Sequence, residues 1–191
     1  MAGKIIGLTG KYASGKGEIA SYLKSKDFDY FSFSAMMEKE VGQRGLPVTR
    51  QNTINIANEM RQKHGNAYWA KRIISKIGNG KNCIVESFRN PDEIREFKKL
   101  PSFRLMLVDA PLNVRYERAL KRKRAEDSDF VSFEEFKKLE KLESKSRNKA
   151  SQQLEECAKM ADVKIVNDST LGELHKKIGK AIGKIPGRGK K

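Results

Sequence analysis

Lys4-Ile5-Ile6-Gly7-Leu8-Thr9-Gly10-Lys11-Tyr12-Ala13-Ser14-Gly15-Lys16-Gly17-Glu18 is the stretch that decides the fold of this 191-residue chain. Its opening is a short apolar run that reads as a buried strand. From Lys16 to about Lys24 the apolar residues Ile19, Ala20 and Leu23 share one face of a helix. Between them lies the pattern G-x-x-x-x-G-K, from Gly10 to Lys16. After a strand and before a helix, the N–H groups of such a loop point inward at phosphate oxygens, and the helix N-terminus adds favourable partial charge. Gly10 and Gly15 allow tight main-chain geometry that side chains would obstruct, and Lys16 brings a cation to the outer phosphates. The expected contacts to a nucleoside triphosphate are therefore Gly10, Tyr12, Ala13, Ser14, Gly15, Lys16, Gly17 and Glu18. The alternative, an ordinary glycine turn, fits the flanking strand and helix poorly.

Working outward, strands alternate with helices. Strands are expected at Asp29 to Ser34, Asn82 to Ser87, Phe103 to Asp109 and Ala161 to Asn167. Helices are expected from Met36 to Arg44, after the cap Thr49, and from Ala67 to Ile77. Others begin at Pro91, at Pro111 (running to about Arg124), at the capping box Ser132-Phe133-Glu134-Glu135 and after Thr170. The strands read as buried on both faces, which is the pattern of a parallel sheet between helices. The expected fold is α/β: one domain over residues 1–183, and a floppy basic tail over 184–191.

The formal charge of +16 points to anionic partners without choosing among nucleotides, coenzymes and nucleic acids. No aromatic residue interleaves the basic tail, so nucleic acid is expected there only non-specifically. Cys83 and Cys157 stand far apart without Cys or His neighbours, which excludes a disulfide framework or zinc site and suggests two buried thiols in a reducing cytoplasm. No apolar run approaches a membrane span, so a cytoplasmic location and no membrane partner are expected.

In order and spacing the chain resembles the adenylate-kinase-like branch of the P-loop kinases, near dephospho-coenzyme A kinase. It is most similar to kinase-like ATPases related to the N-terminal part of deoxycytidylate-deaminase-type proteins. The likeness runs from Ile5 to about Ile178. It is carried by Ile6 to Gly10 with Ala13 to Glu18, Glu86-Ser87-Phe88-Arg89-Asn90-Pro91, Arg115-Tyr116-Glu117-Arg118, Arg122-Lys123-Arg124, Ala161-Asp162 and Asn167-Asp168. The resemblance implies a P-loop NTPase architecture: three layers, α/β/α, with a five-stranded parallel sheet, an acceptor-binding module over 31–74 and a lid over 118–147. It implies ATP and Mg²⁺ as cofactors and transfer of the γ-phosphate to a nucleoside monophosphate or a nucleotide-like coenzyme precursor. Lys16, Arg89, Arg118, Arg122, Arg124 and Glu86 would be catalytic, with Arg115 beside them on the lid side. Ser34, Arg61 and Arg89 would hold the acceptor, Glu86 and Glu18 the metal, and Asn167 would lie beside the donor base.

Arginines suit this chemistry because phosphoryl transfer needs positioning and charge neutralisation rather than a covalent nucleophile. Each has a plainer reading. Arg115, Arg118 and Arg122 fit a solvated helix face, and Glu86 fits a structural salt bridge. Glu18 fits either a water-mediated metal ligand or an acid placed by the helix dipole. The chain also departs from the family. Glu18 stands where a threonine is usual, Ala35 where an acid is usual, Glu38 where an arginine would grip an acceptor phosphate, and Glu86 where aspartate is common. Arg44, Arg50 and Arg61 lie in the same module as candidate substitutes, with Arg61 preferred. Two other functions therefore stand beside the kinase: a nucleotide-binding NTPase or switch without efficient transfer, and a nucleic-acid-associated basic protein.

Overall fold

The computed structural model describes residues 3–78, 80–122, 132–144 and 153–185. Five strands, β1 (Ile5–Thr9), β2 (Asp29–Ser32), β3 (Cys83–Glu86), β4 (Phe103–Asp109) and β5 (Val163–Val166), form one sheet in the order β2-β3-β1-β4-β5. Every neighbouring pair is parallel, with Gly7 opposite both Val85 and Leu105, so the expected parallel α/β sheet is present. The helices are α1 (Lys16–Lys24), α2 (Phe33–Gln43), α3 (Arg50–His64), α4 (Tyr68–Ile74), α5 (Pro91–Lys98), α6 (Leu112–Arg122), α7 (Phe133–Ser144), α8 (Leu154–Lys159) and α9 (Leu171–Gly183).

The period-two alternation of the strands explains the layers. Ile5, Cys83, Val85, Phe103 and Leu105 face a core built with α2, α3, α4 and α5. Ile6, Leu8, Ile84, Met106, Val108 and Ile165 face the opposite core, closed by Ile19 and Leu23 of α1 and Leu174 and Ile178 of α9. In the first core Phe33, Phe88, Phe97 and Phe103 stack in sequence, with ring centroids 4.8, 5.1 and 5.2 Å apart. Burying each such ring contributes about 1.5–3 kcal/mol. Cys83 and Cys157 are both buried free thiols, and burial, followed by the nearby Glu93 carboxylate, pushes the Cys157 thiol up. Among the described residues no helix is long and apolar enough to cross a membrane.

The β2–α2 boundary and the helices after Ser132 differ from expectation. The second strand stops at Ser32 rather than Ser34, because the Ser32 side chain accepts a hydrogen bond from the Ala35 N–H and starts a helix there. Ser34 is consequently a helix residue. The charged helix after Ser132 is described as α7, and a separate α8 begins at Leu154. Residues 123–131 and 145–147 of the expected lid, Arg124 included, and residues 186–191 of the expected tail lie outside the described residues. Arg122 is described only as the last residue of α6.

Candidate nucleotide and acceptor site

The carboxyl ends of the strands converge at one edge of the sheet. β1 lies between β3 and β4, so the chain leaves its two neighbours in opposite directions and opens a crevice above β1. The loop from Gly10 to Lys16 occupies that crevice. Its shape depends on left-handed backbone. Gly10 has φ 144°, Gly15 has φ 101° and Ala13 has φ 56°. A Cβ on Gly10 would stand 2.1 Å from the Val108 carbonyl oxygen, and one on Gly15 would stand 2.0 Å from Asn167 Nδ2. Successive N–H groups in such a bend form an anion-binding concavity at the start of α1. Lys16 Nζ donates to the carbonyls of Gly10 (2.8 Å) and Lys11 (2.9 Å), which anchors the ammonium over the loop.

Around the loop lies an open cleft of about 860 Å³. It brings together Tyr12, Ala13, Ser14, Gly15, Lys16, Gly17, Glu18, Ser34, Glu86, Arg89, Arg118 and Asn167, so most residues expected at the site share one space. Gly10 is buried beneath the loop. Asn167 donates from Nδ2 to the Ser14 carbonyl (3.0 Å) and accepts from Arg118 Nη2 (3.4 Å), so its amide clamps the loop. Two polar atoms in the wall are buried without a hydrogen-bond partner among the described residues: Ser14 Oγ and Arg118 Nη1. Such atoms are costly to leave unpaired, and both suit the oxygens of a polyphosphate. Beside them, hydrogen bonding from Lys177 holds the Asp168 carboxyl below its usual range.

Glu86 ends β3, directly between Leu8 of β1 and Ser32 of β2. Its Oε2 accepts from the Tyr30 hydroxyl at 2.7 Å. Among the described residues no three His, Cys, Asp or Glu side chains cluster as metal ligands. Glu18, Glu38 and Glu86 line the cleft; one or two carboxylates, with waters and phosphate oxygens, are the donor set that Mg²⁺ takes.

A second cavity, of about 260 Å³, adjoins the first between α2 and α3. Tyr12, Ser34, Glu38, Ser87 and Arg89 line both, so the two spaces meet at these side chains. Ser87 holds φ 74° at the end of β3, an uncommon backbone for a serine. Arg61 reaches the smaller cavity's wall but is buried, only 3% exposed. Its Nε and Nη2 both donate to Glu93 Oε1, at 3.1 and 2.8 Å. Arg50 also lines the smaller cavity, whereas Arg44 pairs with Glu40 and Glu59 away from it.

Arg115 sits apart from the exposed helix face that its plainer reading assumed. It is buried, donates to the carbonyls of Ala110 (2.9 Å) and Tyr12 (3.3 Å), and pairs with Glu140 of α7. Glu140 also accepts from Lys11 of the loop at 2.7 Å. Burial raises the Glu140 carboxyl, and the hydrogen bonds from Arg115 and Lys11 outweigh it, so the net shift is downward. Tyr12 lies against Phe136 of α7 (6.3 Å between centroids), and the Arg50 guanidinium sits 5.7 Å from the Tyr12 ring centre. Glu140, Lys11 and Arg50 were not singled out as functional pairs from the sequence; no local pattern marks a contact between residues 129 positions apart.

Residues 6–138 match the family described as "AAA domain". A UPF0200 protein of Sulfurisphaera tokodaii is 31% identical over 182 residues, covering 95% of this chain and 97% of that one. The chain belongs to the AAA-domain family and to the UPF0200 proteins. Solved structures share its fold. The shikimate kinase from Acinetobacter baumannii in complex with shikimate has a TM-score of 0.59 at 13% identity, over 96% of each chain. A gluconokinase from Sinorhizobium meliloti has a TM-score of 0.54 at 13% identity, over 95% of this chain and 91% of that one. The chain therefore shares its fold with these two kinases.

Proposed function

We propose that this protein is an ATP-dependent phosphotransferase that moves the γ-phosphate, with Mg²⁺, to a small acceptor, a nucleoside monophosphate or a nucleotide-like coenzyme precursor. One observation carries the reading: the phosphate-loop cleft adjoins a second cavity, and the two share Tyr12, Ser34, Glu38, Ser87 and Arg89 in their walls. A protein that only binds a nucleotide needs the first space and not the second. Two proteins that share the fold are named as kinases, which supports the same reading.

In this reading the loop N–H groups and Lys16 hold the β- and γ-phosphates, and Arg118, with its unpartnered Nη1, stabilises the charge that spreads in the transition state. Mg²⁺ held through Glu86 and Glu18 supplies charge neutralisation on the phosphates. Arg89 stands where both substrates meet and grips the oxygens of either. Asn167 fixes the loop's shape beside the donor. In this reading residues 31–74 are the acceptor module.

A second reading, a slow NTPase or nucleotide switch, is favoured by the Glu38 carboxylate on the wall of both cavities, where it repels an acceptor phosphate. One experiment separates the two. Mg-ATP is incubated with the protein and a panel of ribo- and deoxynucleoside monophosphates, dephospho-coenzyme A, shikimate and gluconate. ADP and phosphorylated product are followed together, with Lys16→Ala as the control. Stoichiometric product with one acceptor is the expected result. ADP without product would establish the NTPase instead, and ATP bound without turnover would remove both.

A further inference from the structure

Two arginines of α6 reach the phosphate loop, and they are held in different ways. Arg115 and Arg118 stand three residues apart, so they project from the same side of the helix. The Arg115 guanidinium is engaged by protein, through the Ala110 and Tyr12 carbonyls and Glu140. Arg118 is tied at one nitrogen. Its Nη2 donates to Asn167 Oδ1 at 3.4 Å, and its Nη1 is buried without a hydrogen-bond partner among the described residues. A Cβ placed on Gly15 would stand 3.9 Å from that Nη1, so the bare nitrogen lies over the loop. The Asn167 amide is fixed in turn. The residue is only 4% exposed, and its main-chain N–H donates to the Asp109 carbonyl at 2.7 Å. Its Nδ2 donates to the Ser14 carbonyl at 3.0 Å. Turning the amide over would set its oxygen against that carbonyl and its nitrogen against the guanidinium, so one orientation is selected. Each polar atom of the amide thus has a protein partner, which suits it to holding other groups rather than to reading a base.

We propose that Asn167 is a positioning residue: by holding Arg118 Nη2 it aims Nη1 at the phosphates in the cleft. The same amide ties the guanidinium to Ser14, so the arginine and the loop keep one spacing. The inference rests on the donor half of the phosphotransferase reading, in which ATP phosphates sit on the loop and Arg118 stabilises the charge of the group in transit. Phosphoryl transfer is sensitive to such placement, because catalysis there is positioning and charge stabilisation. Without Asn167 the guanidinium keeps its charge and loses its direction.

The test is a double-mutant cycle on the full chain with Mg-ATP. ADP formation is followed with the acceptor panel above and in water alone, so a slow NTPase is read as well as a kinase. Arg118→Ala should lower kcat about 100-fold, and Asn167→Ala roughly 10-fold. Because Asn167 acts through Arg118, the double variant should be no slower than Arg118→Ala. Asn167→Asp keeps an oxygen for Arg118 and loses the donor to Ser14. It should bring kcat back to within a few-fold of wild type while raising the ATP KM several-fold, a split that a purely structural asparagine does not give. Losses that multiply in the double variant overturn the inference and leave the phosphotransferase standing. So does a wild-type kcat in Asn167→Ala, or an Asn167→Asp enzyme as slow as Asn167→Ala. ATP bound by the wild-type protein with no ADP formed removes the phosphotransferase reading and this inference with it.

Discussion

The proposed donor cleft is built around a loop shaped by its own main chain, and the proposed acceptor cavity around side chains that other side chains hold. Around the donor, Gly10, Ala13 and Gly15 turn N–H groups into the hollow, and Lys16 rests on two carbonyls of the same loop. Around the acceptor, the wall includes Arg61, which is set by Glu93 on α5, and Arg50, which is set against Tyr12. A main-chain site requires a few glycines and a short stretch of chain. A side-chain wall depends on partners far away in sequence, and one substitution can change what it admits without disturbing the loop. Under the proposed function, the difference would put acceptor choice in the helical modules and phosphate binding at the sheet edge.

The largest expected effect tests the acceptor wall. Arg61→Ala leaves the Glu93 carboxylate, fully buried and already holding Oε2 without a hydrogen-bond partner among the described residues, with no compensating charge. Breaking such a pair costs about 3–5 kcal/mol. Urea denaturation should show that loss, while Arg61→Met combined with Glu93→Leu recovers most of it because apolar packing replaces the pair. If Arg61→Ala is as stable as wild type and fails only in acceptor binding, the guanidinium is a ligand-facing group and not a wall support.

On the donor side the corresponding change is Gly10→Ala. The new Cβ would press on the Val108 carbonyl oxygen in a backbone region that L-residues rarely adopt. A stability loss of about 3 kcal/mol is expected from the strain, with loss of ATP binding measured by calorimetry. Normal ATP affinity in this variant would mean that the loop's shape does not depend on the main-chain geometry described above.

The contrast also explains what could be read from sequence. The five strands and the loop are legible because their signals are local: short apolar runs, and two glycines and a lysine at fixed spacing. The end of β2 was misread by two residues because the Ser32 cap competes with an aromatic run that favours a strand. Arg61 and Arg115 read as phosphate ligands because their types suit phosphate. Their burial against Glu93 and Glu140 comes from packing α3 on α5 and α6 on α7, which no spacing along the chain records.

A smaller effect tests whether α7 belongs to the donor side. Glu140 joins Lys11 of the loop to Arg115, so its charge ties that helix to the site. Its carboxyl is held below the ordinary range despite burial, through those two partners. The sign follows: the folded state binds this proton less readily than the unfolded chain, so the contribution is full above the ordinary carboxylate range. It disappears as pH falls through the depressed value. Glu140→Gln should remove about 1.5 kcal/mol at neutral pH and flatten the decline in stability between about pH 5 and pH 3. An acid decline as steep in Glu140→Gln as in wild type would detach α7 from the loop.

The smallest effect is in the wall of the larger cleft, where Tyr30 of β2 reaches Glu86 of β3. The phenol donates to Glu86 Oε2 at 2.7 Å, and the Lys24 ammonium lies 5.2 Å from the same ring's centre. Tyr30 is 40% exposed, so deleting its hydroxyl should alter stability by only about 0.5–1 kcal/mol. The carboxylate, however, loses the contact that aims it into the cleft. If Glu86 holds Mg²⁺ through water, Tyr30→Phe should raise the Mg²⁺ concentration needed for half-maximal turnover several-fold and leave ATP affinity without metal unchanged. A magnesium requirement equal to wild type would assign Glu86 to the sheet rather than to the metal, and the donor cleft would then owe its metal binding to Glu18.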